Sequence, residues 1–236
     1  MRISQYLTSS IVPFFQNPVC KMGLAVRPVE LTDVAECARM RVAALGSLVI
    51  GRPPPYAGYV EEQAASFKSA IESQPHVRLM KVVDPENEDE ILSFAKWEVY
   101  KHGRPDLHKL RQPMNAHDKE VDGFGALREA AHEYFSSRNG GEMGETPHLL
   151  LALLVTTDKH RRRGAGSLLV QWGIDLSESL GVQCYVQASE QGRRLYQHHG
   201  FQDVDSVRFD LSQYGLEGIE IMTEMIRIPQ KHLERG

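Results

Sequence analysis

Read for its apolar positions, the chain switches between two periods, one near two residues and one near 3.6. Leu149 to Thr156 is almost unbroken Leu, Ala and Val, the pattern of a strand buried on both faces. Leu24 to Pro28 reads as a short strand, and Leu31-Thr32-Asp33 opens a helix through about Leu45, with Val34, Cys37, Ala38, Val42 and Leu45 at helical spacing. The spacing predicts a second helix over Val60 to Ile71 and strands over His76 to Val83 and Ile91 to Tyr100, with the polar turn Asp84 to Asp89 between them. Gly51 to Tyr56 holds three prolines and can only be loop. Between Lys101 and Pro147 lies a long insertion with one helical pattern, roughly Gly125 to Ser137. After Thr156 the pattern gives a helix, a strand at Gln183 to Ala188, a second short helix, and strands at Ser206 to Leu211 and Gly218 to Ile228. Strands and helices alternating in this way predict a single α/β domain.

The junction after Thr156 carries the chemistry. A polar turn leads into Arg161-Arg162-Arg163-Gly164-Ala165-Gly166 and then into an amphipathic helix. Glycines let backbone approach an anion, and the first N–H groups of a helix have no intrahelical partner and carry the positive end of its dipole. The segment is therefore suited to a pyrophosphate. Neither the Walker spacing nor the dinucleotide Gly-x-Gly-x-x-Gly spacing is present. A blander reading makes the three arginines a solvated charge run at a helix start.

Two motifs decide between these readings. Arg161-x-x-Gly164-x-Gly166 resembles the Q/R-x-x-G-x-G/A acyl-CoA signature of the GCN5-related N-acetyltransferases, and Leu195-Tyr196-Gln197-His198-His199-Gly200-Phe201 resembles the Leu-Tyr-x-x-x-Gly-Phe of the same superfamily. The surrounding texture, including Met143-Gly144-x-x-Pro147-His148, is most similar to fungal members. The resemblance implies a mixed central sheet of about six to seven strands, flanked by helices and splayed at the cofactor site. It implies acetyl-CoA as co-substrate, with the pantetheine arm on the backbone of Leu154, Val155 and Thr156 and the pyrophosphate on the N–H groups of Arg162, Arg163, Gly164, Ala165, Gly166 and Ser167. Arg161 holds the signature position, and Ser189 stands where many relatives have an Asn that bonds the cofactor arm. Tyr196 stands at the position of the general acid that protonates the thiolate. Some relatives carry a glutamate on the cofactor strand, but the matching place here is Leu150, with Ala152 expected as its next same-face neighbour. The expected base is therefore His148, Glu98 on the preceding strand, or a water chain; an imidazole with a pKa near 6.5 makes His148 the first choice.

Composition narrows the context. At 236 residues with 42% hydrophobic content the chain can bury one generous core, taken as residues 23–236 after a loosely ordered extension over 1–22. A net charge of −4 argues against nucleic acid as partner, and no run approaches the ~18 to 20 apolar residues that cross a bilayer. Cys20, Cys37 and Cys184 form neither a disulfide framework nor a zinc cluster, which favours a reducing cytoplasm and no metal. The insertion at 101–147 feeds the thioester end of the cofactor strand. Phe124, His132, Tyr134 and Phe135 could line an acceptor pocket there, or its helix could simply pack on the sheet. The expected activity is direct acetylation of a small-molecule primary amine in a ternary complex, by a monomer or homodimer. A protein or peptide N-acetyltransferase is the alternative, as is a degenerate acyl-CoA-binding module, against which the retention of Tyr196 argues.

Overall fold

The structure, a computed structural model, describes residues 23–45, 57–104, 126–127, 130–131, 134 and 142–230. The expected 1–22 extension, the proline loop and most of the insertion, with Phe124, His132 and Phe135, lie outside these residues. Among the described residues seven strands form one mixed sheet: β1 (Ala25–Pro28), β2 (Val77–Asp84), β3 (Glu90–Tyr100), β4 (His148–Thr156), β5 (Gln183–Ser189), β6 (Gln202–Asp210) and β7 (Ile219–Arg227), in the spatial order β1-β2-β3-β4-β5-β7-β6. Every neighbouring pair is antiparallel except β4 and β5. That parallel step needs a crossover, which the helix α3 (Ala165–Leu180) supplies. The α/β architecture and the strand number agree with the sequence reading.

Helices α1 (Val34–Leu45) and α2 (Tyr59–Ser73) cover one face of the sheet and α3 covers the other. Because the central strands are covered on both sides, Leu92, Ser93, Phe94, Ala95 and Trp97 of β3 are all fully buried. The unbroken apolar run of β4 has the same cause. On the α3 face Trp97 lies against Gly173, where an added Cβ would come within 2.1 Å of the indole, and the indole N–H donates to the Leu169 carbonyl at 3.3 Å.

Strand β6 begins at Gln202 rather than Ser206, because antiparallel pairing with β7 recruits the polar residues at the edge of the sheet. Within the insertion, Leu127 and Ala131 pack on Phe209 of β6, and Tyr134 donates to Asp205 at 2.9 Å, so the described positions lie on the sheet. Gly103 and Arg104 meet Gly144 at the other end of the insertion, drawing its two ends together before β4. No helix among the described residues is long and apolar enough to cross a membrane.

Candidate active site

The site begins with an irregularity in β4. Lys96 pairs with Leu153 and Trp97 with Leu151, which leaves Ala152 as an extra residue, a β-bulge. The parallel pairing of β4 with β5 stops at the same place: it runs from His148 and Gln183 to Leu151 and Val186 and no further. Past the bulge, β4 keeps β3 as its partner through Thr156, while its other edge, from Ala152 to Thr156, has no strand beside it among the described residues. A gap between two central strands leaves backbone groups that an extended ligand can bond. Leu154, Val155 and Thr156, the three positions expected to contact such a ligand, all lie along it.

The bulge also reverses which side chains face which layer. Leu149 and Leu151 join the core under α3, whereas Leu153 and Val155 join the core under α1 and α2. Leu153 thus shares its face with Leu150, where strict alternation would have put it on the other, because Ala152 and Leu153 together stand opposite Lys96.

Beyond the end of β4, Thr157 leads through a 3-10 turn, Asp158–His160, to the arginines. Arg162 and Gly164 both adopt left-handed backbone, with φ of 65° and 83°. Gly164 is the N-cap of α3, and no side chain caps that terminus. The first free N–H groups of a 16-residue helix, those of Ala165, Gly166 and Ser167, thus stand beside the gap with the positive dipole end behind them. Gly166 is close-packed: an added Cβ would lie 3.4 Å from Thr156 Oγ1 and 3.5 Å from Leu195 Cδ2. The end of β4, the start of α3 and the helix α4 (Glu190–His198) therefore converge there.

The three arginines differ in what holds them. Arg163 donates to Asp84 at the end of β2 at 2.7 Å and to Nδ1 of the buried His160 at 3.2 Å, which fixes the loop to the β2–β3 hairpin. Arg161 pairs at 2.8 Å with Asp158, itself 81% exposed, a weak surface contact. Arg162 is exposed and has no ion pair or side-chain hydrogen bond among the described residues, so its guanidinium is the one available to an anion. Sequence alone leaves these three equivalent.

The second motif has a local physical logic. Phe201 N–H donates to the Tyr196 carbonyl at 3.1 Å and Gly200 N–H to the Gln197 carbonyl at 3.0 Å, and Gly200 has φ of 82°. This is a Schellman stop, whose usual apolar contact is made by Phe201 on Tyr196 with ring centroids 5.8 Å apart. The motif thus ends α4 and locks the tyrosine ring, which also rests on Gly192. Tyr196 is buried, and burial raises its phenol well above the ordinary range. Its hydroxyl has no hydrogen-bond partner among the described residues. Ser189 is the N-cap of α4, accepting from Gly192 N–H at 3.4 Å. Its hydroxyl thus serves the helix as an acceptor and keeps its own proton to donate. Ser167 and His199 are joined at 2.6 Å, tying the start of α3 to the end of α4.

The two proposed bases lie across the sheet on the α1/α2 face. His148 is 2% exposed, and its Nδ1 lies 2.7 Å from the Thr146 carbonyl, which makes Nδ1 the protonated nitrogen and leaves the Nε2 lone pair without a partner among the described residues. Burial holds the imidazole below its ordinary pKa, so it is neutral at neutral pH. Glu98 is also buried, which alone would raise its pKa, but Lys96 at 2.8 Å and the Tyr100 hydroxyl at 2.7 Å bring it below the ordinary value. Both its oxygens are occupied. Neither cysteine among the described residues suits a nucleophile: burial pushes the thiols of Cys37 and Cys184 up to about 12 and about 11.

On β5, Tyr185, still paired with β4, donates to Glu224 at 2.9 Å, and Gln187, the first residue of β5 at the gap, donates to Tyr185 at 3.1 Å. The sequence reading does not single these residues out. Their signal was alternation of polar residues within interior strands, Tyr185 and Gln187 in β5 with Glu220 and Glu224 in β7.

Residues 76–201 match the family described as Acetyltransferase (GNAT) family. No curated protein matches the sequence. Arylalkylamine N-acetyltransferase 2 from Aedes aegypti superposes with a TM-score of 0.62 at 10% identity, over 87% of this chain and 98% of that one. A polyamine N-acetyltransferase from Drosophila melanogaster that catalyses the formation of N-acetylagmatine superposes at 0.57 with 15% identity, covering 87% and 99%. Arabidopsis thaliana NAA60 in complex with acetyl-CoA superposes at 0.52 with 13% identity, covering 87% and 98%. At these identities the structures support the fold alone.

Proposed function

The chain belongs to the acetyltransferase (GNAT) family, and on that premise we propose that it moves the acetyl group of acetyl-CoA to a primary amine of a small molecule, in a ternary complex and without a covalent enzyme intermediate. The observation that carries this reading is the gap between β4 and β5, which opens at the Ala152 bulge and runs into the uncapped start of α3 beside Tyr196. Its free β4 edge fits an extended amide-bearing arm. The left-handed backbone at Arg162 and Gly164, with the N–H groups of Ala165 to Ser167, fits a pyrophosphate. Arg162 is the cationic contact; Arg163 holds the loop, and Arg161 adds to the local field.

Acetyl-CoA supplies the thioester, whose C–S bond breaks as the amine nitrogen bonds the carbonyl carbon. The chain's own work is to place the two reactants and move two protons. Nε2 of His148 takes the proton lost by the ammonium, directly or through water, since it is neutral and unengaged. The Tyr196 hydroxyl gives a proton to the departing sulfur and is reprotonated, through water, by the proton that the attacking nitrogen sheds as the amide forms. Glu98, held by Lys96 and Tyr100, positions the face rather than acting as base. Ser189 shapes the start of α4.

A small acceptor is favoured because the described insertion positions pack on β6, on the same face as α1 and α2. Two helical layers thus stand on either side of the β5–β7 strip. The test is acetyl-CoA-dependent thiol release with alkylamines, arylalkylamines and peptides. Transfer to small amines is expected; transfer to peptides alone would favour the protein-directed alternative, and tight cofactor binding with no transfer would favour a binding module.

A further inference from the structure

The β5–β7 strip holds a group that the reaction as described does not use. Glu224 is a carboxylate only 7% exposed, placed on β7 directly across from Gln187 at the level where β4 and β5 part. One oxygen accepts from the Tyr185 hydroxyl. The other has no partner among the described residues. A buried carboxylate normally has both oxygens satisfied, because an unpaired one costs about 1 to 3 kcal/mol or more. Among the described residues no cation is paired with it: Lys96 on this face is already paired with Glu98, and Asp205, the register partner of Glu224 on β6, adds a second carboxylate.

We infer that Glu224 is a specificity-determining residue whose free oxygen receives a second cationic group of the acceptor, so that the preferred substrates are diamines or amines bearing a distal guanidinium. The inference rests on the acetyltransferase reading above. Strands lie about 4.8 Å apart, and β5 stands between the gap and β7. An amine attacking in the gap and a cation over β7 are thus separated by roughly one to two strand spacings, about 5 to 9 Å. Chains of four or five methylenes span this distance. Tyr185 acts as a positioning residue, holding the carboxylate by its phenol, and Gln187 holds Tyr185 in turn.

The full-length protein is assayed for acetyl-CoA-dependent thiol release with butane-1,4-diamine, n-butylamine and 2-phenylethylamine. The native protein is expected to use the diamine with a kcat/KM about tenfold or more above that of n-butylamine, the effect of one charge-assisted hydrogen bond. In Glu224→Gln the ratio is expected to fall to within about twofold, allowing for the two equivalent amines. Tyr185→Phe, which releases the carboxylate from its phenol partner, is expected to lower the ratio partway towards that of Glu224→Gln, so a folding defect in one variant leaves the other informative. Acetyl-CoA affinity by calorimetry reports that each variant is folded. Equal use of diamine and n-butylamine by the native protein, or an unchanged ratio in folded Glu224→Gln, overturns the inference; acetylation of either monoamine in that case leaves the acetyltransferase reading standing. Transfer to none of the three amines counts against both.

Discussion

Replacing Tyr196 with Phe separates catalysis from packing more cleanly than any other single change. The ring is held by Phe201 at 5.8 Å and by Gly192, contacts that phenylalanine keeps. The hydroxyl has no hydrogen-bond partner among the described residues, so its removal forfeits none of the roughly 0.5 to 1.5 kcal/mol that a typical internal bond contributes. Unfolding free energy is therefore expected to stay within about 0.5 kcal/mol of the native value. The rate should behave differently. A general acid contributes typically ~10²- to 10⁴-fold, or roughly 3 to 5 kcal/mol of barrier at 1.36 kcal/mol per decade. Burial keeps the phenol protonated across the neutral range, so the loss should be the same at every pH from about 6 to 9. Single-turnover transfer from acetyl-CoA to 2-phenylethylamine, with a parallel denaturant titration, measures both quantities. The reasoning fails if Tyr196→Phe transfers acetyl at the native rate while chemistry is limiting; the tyrosine would then serve only to fill the space under Phe201.

Three further outcomes are expected. Gly164→Glu should abolish measurable acetyl-CoA binding by calorimetry, since it sets a negative charge at the start of α3, and the left-handed φ of 83° adds about 1 to 2 kcal/mol of strain; Gly164→Asn tolerates that φ, and should bind within a few fold if charge is the cause. Gly173→Ala would gain about 1 kcal/mol of helix propensity on an open helix, but its Cβ would sit 2.1 Å from the Trp97 ring, so a net loss of about 1 to 3 kcal/mol is expected in denaturant unfolding, and a stabilised variant would refute the interlock. His148 has a folded pKa depressed by burial, so below about 6.5 the unfolded chain binds the proton more readily than the folded one; stability should rise with pH up to about 6.5 and then level, and kcat should show an acidic limb with an apparent pKa below 6.5. A limb unchanged in His148→Gln would remove the imidazole from the mechanism.

Much of the fold and part of the site could be read from the chain because their causes are local. Unbroken apolar runs specify covered strands, and α1, α2 and the strands from β1 to β5 lie within one or two residues of where the pattern puts them. The two motifs were legible for the same reason. Arg161 to Ser167 makes its left-handed turn and helix start from adjacent residues, and Leu195 to Phe201 makes its helix stop from groups five residues apart. Leu150 likewise reports from sequence alone that the strand lacks a carboxylate at that place.

What the chain could not disclose depends on residues that meet only after folding. The run Leu149 to Thr156 carries no mark of its extra residue; Ala152 becomes the bulge through pairing with β3, and only then do Leu153 and Val155 turn to the α1/α2 layer and the gap with β5 open. The three arginines are alike until Asp84, distant in the chain, engages Arg163 and leaves Arg162 available. Serine at position 189 looks like a poor substitute for a cofactor contact until the helix it caps is seen, and Glu224 carries no mark until Tyr185 meets it across β5 and β7. Backbone conformation follows from neighbours in sequence, so motifs of turn and cap survive the reading. The charge state, partnering and openness of a side chain follow from neighbours in space, and a sequence does not contain those until the sheet has brought them together.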